Sequence, residues 1–585
     1  MRGMSRHRVC RVLVVLALVS GCAPVQPAAP PAERFDAFVD AFLDHFASHH
    51  PSIAAGNGLH QYDDRLEDFS APAVNAEIDA WKALRTRLAA IPVDGLTPDE
   101  RVDHRIVAGL IDGWLLDLEG NRTWQKNLMV YASAISDGVH NLMTIEPAPA
   151  EVRAARNHAQ LRGAPLVRAA ARANIPDPPK VMAERGVRML KGASGMLTAD
   201  VPLAFAGLSD AAKKAELLAA GVEAAQAIDG FVAWFEKEKL PTANGRYQVG
   251  RDNLEARYRA EELIDTPAPQ LLAIGERELA VQEAAFTAAA ATVDPKRPAL
   301  AVWQDVLRQH PTRGALVAAA QKAVDDLQAF VVAKGLVTLP AAERVTVAAA
   351  PPFDLGLASM HSSPPLEPTP VTSYFYVTDA RAEWDAAQQD TWLQKFNTFT
   401  LTVIASHEVM PGHYVHSVFM RQTPGRIRRI WIGLNPFPQP SSGQDGWAHY
   451  VEQMMLDEGF HADDPRYRMA QASEALTRIC RLISGIRQHT GDWTVDDAAR
   501  LFEERAHLPA PAARAEAERA TYDPTYGGYF LGKVAMLKLR ADVQAARGAS
   551  FDLRAFHEQV MRQGIAPLWA HRQLLLPGDT APVLR

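Results

Sequence analysis

Residues 392–416 read WLQKFNTFTLTVIASHEVMPGHYVH, and the spacing of their apolar and titratable side chains decides how the chain is organised. Trp392, Phe396, Phe399 and Val403 recur at steps of four, three and four, the stripe of one buried helical face, and the next position on that stripe is His407. A stripe running from Glu383 through His407 predicts one long helix with an inward-facing imidazole, which needs partners because an unpaired buried polar group is costly. Glu408 follows at once, and a His-Glu pair on a helix opens the arrangement in which two imidazoles grip a metal while the carboxylate serves as general base. The second histidine, His413, comes six residues after the first, so an unbroken helix would set it about 120° round from His407. Pro411 lacks an amide hydrogen and Gly412 tolerates almost any backbone angles, so the pair is expected to bend the chain and bring both rings together. His416, nine residues from His407, would point half a turn away and is placed behind the site or on the surface.

Two further stretches carry chemistry. GQDGWAHYVEQMML, from Gly443, places Asp445, His449 and Glu452 at i, i+4 and i+7 on one face, beside Trp447, Ala448, Val451 and Met455. Two neutral histidines and one carboxylate would make a zinc site with an open position at which water is acidified. ATYDPTYGGYFLGKVAMLKLR sets Tyr522, Tyr526 and Tyr529 around Pro524, Gly527 and Gly528, ahead of Gly532 and Lys533. A phenol held over a metal can donate to a developing oxyanion.

The rest of the chain is organised around helices. Phe35, Phe38, Phe42 and Phe46 form one helical face that ends before Pro51, and similar patterns return at 72–92, 98–119, 149–174, 209–238, 267–292 and 313–335. Strand-like sequence is confined to Glu343–Ala349 and Val371–Thr378, the second at an expected active-site edge. The expected fold is therefore mainly α, with a very small β element near the site. Residues 34–369 are expected to form a helical cleft wall, and 370–585 to carry the metal site.

The amino terminus sets the location. Arg2, Arg6, Arg8 and Arg11 precede an apolar run from Val12 to Val19, too short to span a bilayer, and then Ser20, Gly21 and Cys22. Residues 1–21 read as a secretory signal. Val-Ser-Gly-Cys resembles a bacterial lipobox, which implies lipidation of Cys22. Residues 22–33, rich in Pro and Ala, would tether the protein to the membrane. Ala23 implies, by resemblance to Gram-negative lipoproteins, the outer membrane, facing the periplasm. Lys and Arg total 61 against 68 Asp and Glu, so no basic surplus points to nucleic acid. Of three cysteines, only Cys480 lies within the mature body, in an apolar helical stretch that suits a buried small hydrophobe.

HEVMPGH at 407–413, DGWAHYVE at 445–452 and PTYGGYFLGK at 524–533 resemble the three signatures of the bacterial family known as domain of unknown function 885. The resemblance extends to GRDNLEARYRAEEL from Gly250. Members are mostly helical, often lipoproteins, and in turn resemble helical gluzincin peptidases such as thimet oligopeptidase and Taq-type carboxypeptidases. This resemblance implies a deep helical cleft, zinc, and hydrolysis of peptide or related amide bonds in short peptides. His407, His413 and Asp445 would be ligands, Glu408 the base and Tyr529 the oxyanion donor. Glu452, His449 and His416 would support the site or serve as alternative ligands, and Arg487 and Tyr526 would contact substrate. The chain departs from the pattern twice: Asp445 stands where the family has Glu, and Ile483, Gly485 and Arg487 replace an Asp-x-Gly-x-His run, where Arg487 would offer a fixed cation to a peptide carboxylate. The first departure admits an alternative, a catalytically inactive peptide- or metal-binding envelope lipoprotein on the same scaffold.

Overall fold

The computed structural model describes residues 33–584 except 340–343, 352–355, 431–440 and 492, and excludes the side chain of Ser441. The signal segment, Cys22, the tether up to residue 32 and Glu343 lie outside the described residues. Helices build the protein. The first, Phe35–His49, buries Phe35, Phe38, Phe42 and Phe46, and Pro51 opens the next, Pro51–Gly56. The other amphipathic patterns become Ala71–Ala89, Pro98–Leu115, Ala150–Asn174, Ala211–Glu238, Ala268–Val293 and Leu316–Lys334. Helices that the periodicity does not mark include Leu128–Thr144, Lys180–Ala204, Arg251–Glu262 and Ala299–Leu307. In Leu128–Thr144 the first eight residues are all buried, and a polar face, with Asp137, His140 and Asn141, appears only in the second half, so the alternation is too short to mark the whole helix.

The helix expected to run unbroken into His407 is in fact interrupted. Ala386–Leu393 gives way to a single tight turn, Gln394–Phe396, and a new helix starts at Thr398. Asn397 causes the restart: its side-chain oxygen accepts from the Thr400 amide at 3.0 Å, capping the second helix. Phe399 and Val403 still share a face with His407, but Phe396 lies outside that helix.

Three short strands form one sheet in the order β1-β3-β2, with β1 Val345–Ala349, β2 Ala358–His361 and β3 Ser373–Val377. β1 runs parallel to β3 with Val345 opposite Ser373, and β2 runs antiparallel with Ala358 opposite Val377. The sequence lacks any alternation that would have marked β2. Phe375 and Val377 on the buried face of β3 share a core with Leu401, Ala405 and Val409 of the His407 segment. That core, the largest, also takes in Leu254, Tyr258, Leu316 and Leu327, so the packing around the site runs across residue 370. A separate core joins Leu128–Thr144, Ala150–Asn174, Lys180–Ala204 and Ala211–Glu238.

Candidate metal centre

The His407 helix, Thr398–Glu408, stops where Pro411 and Gly412 demand it, and the next helix, His413–Met420, starts immediately after them. A Cβ on Gly412 would lie 1.7 Å from the His407 carbonyl oxygen, so only glycine permits the chain to fold back this tightly. The Met410–Pro411 peptide is cis. Trp447 fixes the turn, its indole N–H donating to the Pro411 carbonyl at 3.0 Å. The outcome is that the His407 and His413 rings stand 4.7 Å apart and nearly perpendicular.

Asp445 arrives from the helix Ser441–Asp457, which packs against Gly528–Arg547 with almost no space between backbones: a Cβ on Gly446 would lie 2.7 Å from the Gly532 Cα. The stretch GRDNLEARYRAEEL anchors both elements. Glu262 accepts from the Ser442 amide at 3.1 Å, and Glu261 accepts from the Thr525 hydroxyl at 3.2 Å.

Asp445 Oδ1 lies 3.5 Å from His413 Nε2 and 3.8 Å from His407 Nε2. One ligand atom from each of the three residues falls within 4.8 Å of the others. Ligand atoms at about 2.1 Å from a tetrahedral zinc ion are about 3.4 Å from one another, so this donor set fits a divalent ion after a small contraction. The shorter Asp445 side chain still reaches both rings. Glu452 stands on the opposite edge of His407, 2.7 Å from Nδ1. A carboxylate can only accept, so Nδ1 carries the proton and Nε2 turns its lone pair towards Asp445 and His413. His413 Nδ1, by contrast, is buried without a hydrogen-bond partner among the described residues.

His449 lies behind His407, its Nδ1 3.5 Å from Glu452 and its ring stacked on Tyr529 at 5.3 Å. His407, His449 and Glu452 form a second close triad, but the Arg478 guanidinium donates to Glu452 at 3.1 Å and occupies its second oxygen. The electrostatics follow burial and charge. Burial holds His407 and His449 neutral, well below the usual histidine range, with the His413 charge helping at His407 and Arg478 helping at His449. Burial would raise the Asp445 and Glu452 carboxyls, but His413 at Asp445 and Arg478 at Glu452 outweigh it and keep both below the carboxylate range. Burial would likewise lower His413, but the hydrogen bond and charge of Asp445 leave it raised. Glu408 makes no side-chain hydrogen bond among the described residues. Burial, aided by Asp445 and Glu452 and opposed by His413 and Arg478, pushes it up to about 7.

Three of the residues singled out in the sequence are elsewhere engaged. His416 is fully buried, its Nε2 3.1 Å from the Gly564 carbonyl, and so is neither at the surface nor among the ligands. Tyr526 is 1% exposed and donates to the Glu516 carbonyl at 3.0 Å, which leaves it no face for substrate. Arg487 pairs with Glu276 at 2.7 Å, on the side of Pro465–Thr490 away from the metal site. Arg478 and Arg481, nine and six positions earlier on that helix, face the site instead. Arg481 donates to the Tyr529 hydroxyl and takes both oxygens of Glu516 at 2.7 and 2.6 Å. The signal for them was two arginines in the otherwise apolar run TRICRLISGI. Cys480 between them is buried, and burial pushes its thiol up, as suits an inert core side chain.

The profile of a family described as "Bacterial protein of unknown function (DUF885)" matches residues 51–574. No curated protein matches the chain. Among solved structures, a "putative lipoprotein of unknown function" from Shewanella oneidensis superposes with a TM-score of 0.76 at 24% identity, covering 93% of this chain and 100% of that one. A "putative lipoprotein" from Colwellia psychrerythraea gives a TM-score of 0.73 at 17% identity, covering 92% of this chain and 98% of that one. These likenesses concern the fold.

Proposed function

The chain belongs to the bacterial DUF885 family, and from that premise we propose that it is a zinc-dependent peptidase acting on short peptides in the cell envelope. One observation carries the reading: His407, His413 and Asp445 converge on a single point, with the Glu408 carboxylate next in the chain to the first of them and without a protein partner among the described residues. A bound zinc ion would supply Lewis acidity there, acidifying water and polarising a carbonyl. Glu408 takes a proton from the attacking water, holds it on its carboxylate, and passes it to the amine as the C–N bond breaks. Its pKa, pushed up to about 7 by burial, suits a group that must both accept and release a proton near neutrality. Tyr529 donates to the carbonyl oxygen as negative charge develops there. Glu452 keeps His407 in one tautomer and orientation throughout.

The three motifs and their resemblance to the helical gluzincins support the reaction class and the preference for short peptides. The Arg-rich, apolar amino terminus ending in Cys22, together with the description of each of the two structural neighbours as a "putative lipoprotein", supports a lipid anchor. The protein would then face the periplasm from the outer membrane.

Zinc content after reconstitution and hydrolysis of an unselected library of short fluorogenic peptides test the reading together. Glu408→Gln is expected to keep one zinc per chain and lose turnover by about 10³-fold. Absence of stoichiometric zinc from the wild-type protein would instead favour a binding lipoprotein on the same scaffold.

A further inference from the structure

Tyr529 Oη has one proton to give and two lone pairs to fill. Arg481 fills one of them, since a guanidinium has only donors and its Nη1 reaches the phenol oxygen. The other two contacts of the same guanidinium, from Nε and Nη2, go to the two oxygens of Glu516 in a forked pair that fixes its plane. Arg481 and Glu516 are both largely buried, 21% and 19% exposed at the side chain, so the fork is shielded from water. Among the described residues no group accepts the Tyr529 proton. The ring itself is held flat against His449, which shares Glu452 with His407. An oxygen that is already accepting from a fixed cation, on a ring that cannot swing away, has its own O–H directed off the arginine.

We propose that Arg481, clamped by Glu516, is the positioning residue that aims the Tyr529 hydroxyl at the developing oxyanion. The proposal rests on the peptidase reading for the identity of the acceptor, but the clamp itself is independent of it. The positive charge also strengthens the phenol as a donor, because it stabilises the negative charge left on the oxygen as the proton is shared, in opposition to burial. Neither Lys nor Gln at 481 reproduces the arrangement: Lys keeps the charge but cannot fork, and Gln keeps neither.

The test uses full-length, zinc-reconstituted protein labelled with 3-fluorotyrosine. Among its 12 tyrosines, the Tyr529 resonance is identified by its loss in Tyr529→Phe. Arg481→Gln is expected to move that resonance, with movement elsewhere confined to Tyr526, over which Arg481 also lies. Arg481→Lys is expected to restore it part of the way, and zinc content is expected to stay at one per chain in both. Should Arg481→Gln not fold, Glu516→Gln releases the guanidinium without removing it and is expected to move the same resonance. A Tyr529 resonance that stays put in a folded variant overturns the proposal. In an active enzyme Tyr529→Phe is expected to lower kcat by about 10²-fold or more with little change in KM, and Arg481→Gln to lower it in the same way. The double variant is expected to fall no more than about 3-fold below Tyr529→Phe, and fully additive losses overturn the proposal. If the wild-type protein hydrolyses nothing, the peptidase reading fails, while the fluorine spectra still decide whether Arg481 holds Tyr529.

Discussion

Two buried His–Glu pairs stand at opposite ends of the chain. In the amino-terminal helices His50 Nε2 lies 2.8 Å from Glu77, and at the candidate metal centre His407 Nδ1 lies 2.7 Å from Glu452. Both carboxylates carry a second donor: the Trp81 indole at 3.0 Å on Glu77, and Arg478 at 3.1 Å on Glu452. Both carboxyls are held below the usual range, because the neighbouring imidazoles, and Arg478 at Glu452, outweigh the cost of burial. The difference lies on the far side of each imidazole. His50 turns its other nitrogen into a wall, stacked on Trp114 at 4.1 Å, where Nδ1 has no partner among the described residues. His407 turns its other nitrogen towards Asp445 and His413. A buried histidine paired with a glutamate is thus a packing device by default. It becomes part of a site only when the second nitrogen meets further donors.

The largest way to break this comparison is to delete each imidazole. His407→Ala is expected to abolish stoichiometric zinc and turnover while leaving a folded protein. His50→Ala is expected to leave zinc content and turnover unchanged but to cost about 3 kcal/mol of stability, because it strands Glu77 in the core. Metal analysis and urea unfolding on the two variants check both halves, and zinc loss in His50→Ala would dissolve the distinction. A finer cut keeps the rings and changes their partners. Glu452→Gln is expected to weaken zinc binding by about 10–100-fold, the usual effect of losing a carboxylate behind a ligating histidine, whereas Glu77→Gln leaves the affinity alone. Competition with a chromophoric chelator measures each.

The same contrast explains what could be read from the sequence. The amino-terminal pair, His50 just past Phe35–His49 and Glu77 in Ala71–Ala89, packs beside a phenylalanine stripe that is plain in the sequence, because a core built of Phe38, Phe42 and Phe46 obeys helical periodicity. The candidate metal centre was legible as a set of motifs, HEVMPGH above all, because the Pro-Gly break and the i, i+4, i+7 carboxylates and histidine leave marks on the linear chain. Its surroundings were not. Arg478 and Arg481 reach the site from a helix with no motif, and their partners Glu452 and Glu516 are 26 and 35 residues away from them. Only the third dimension brings those charges together. Asn397 is a milder case: a cap hidden in an apolar stripe that reads as continuous until its side chain closes on Thr400.

The amino-terminal imidazoles should also declare themselves through acid. Burial, helped by the neighbouring His49 and opposed by Glu77, lowers His45 from 6.5 to about 3, with its ring edge-on to Trp81 at 4.3 Å. Between those values the unfolded chain binds a proton that the folded chain refuses. Its contribution to stability is therefore complete above pH 6.5 and is lost as the pH falls towards 3. Urea midpoints measured from pH 7 down to pH 4 are expected to fall less steeply in His45→Gln than in the wild type. Equal slopes would mean that this ring titrates freely in the folded protein.

Arg487 supplies the smallest expected effect and the sharpest contrast with Arg478, nine residues before it on the same helix. Nine residues turn an α-helix through two and a half turns, so the two side chains leave on opposite faces. Arg478 is buried against Glu452, whereas Arg487 is 40% exposed, paired with a half-exposed Glu276 and lying over the Trp493 ring. An exposed pair of this kind contributes about 0.5 kcal/mol. Arg487→Ala is therefore expected to change kcat/KM by less than about 2-fold and stability by under about 1 kcal/mol. A large rise in KM for peptides with a free carboxyl terminus, absent for amidated ones, would show instead that this face of the helix meets substrate, and would move the cation that reads a carboxylate back to the position the sequence suggested.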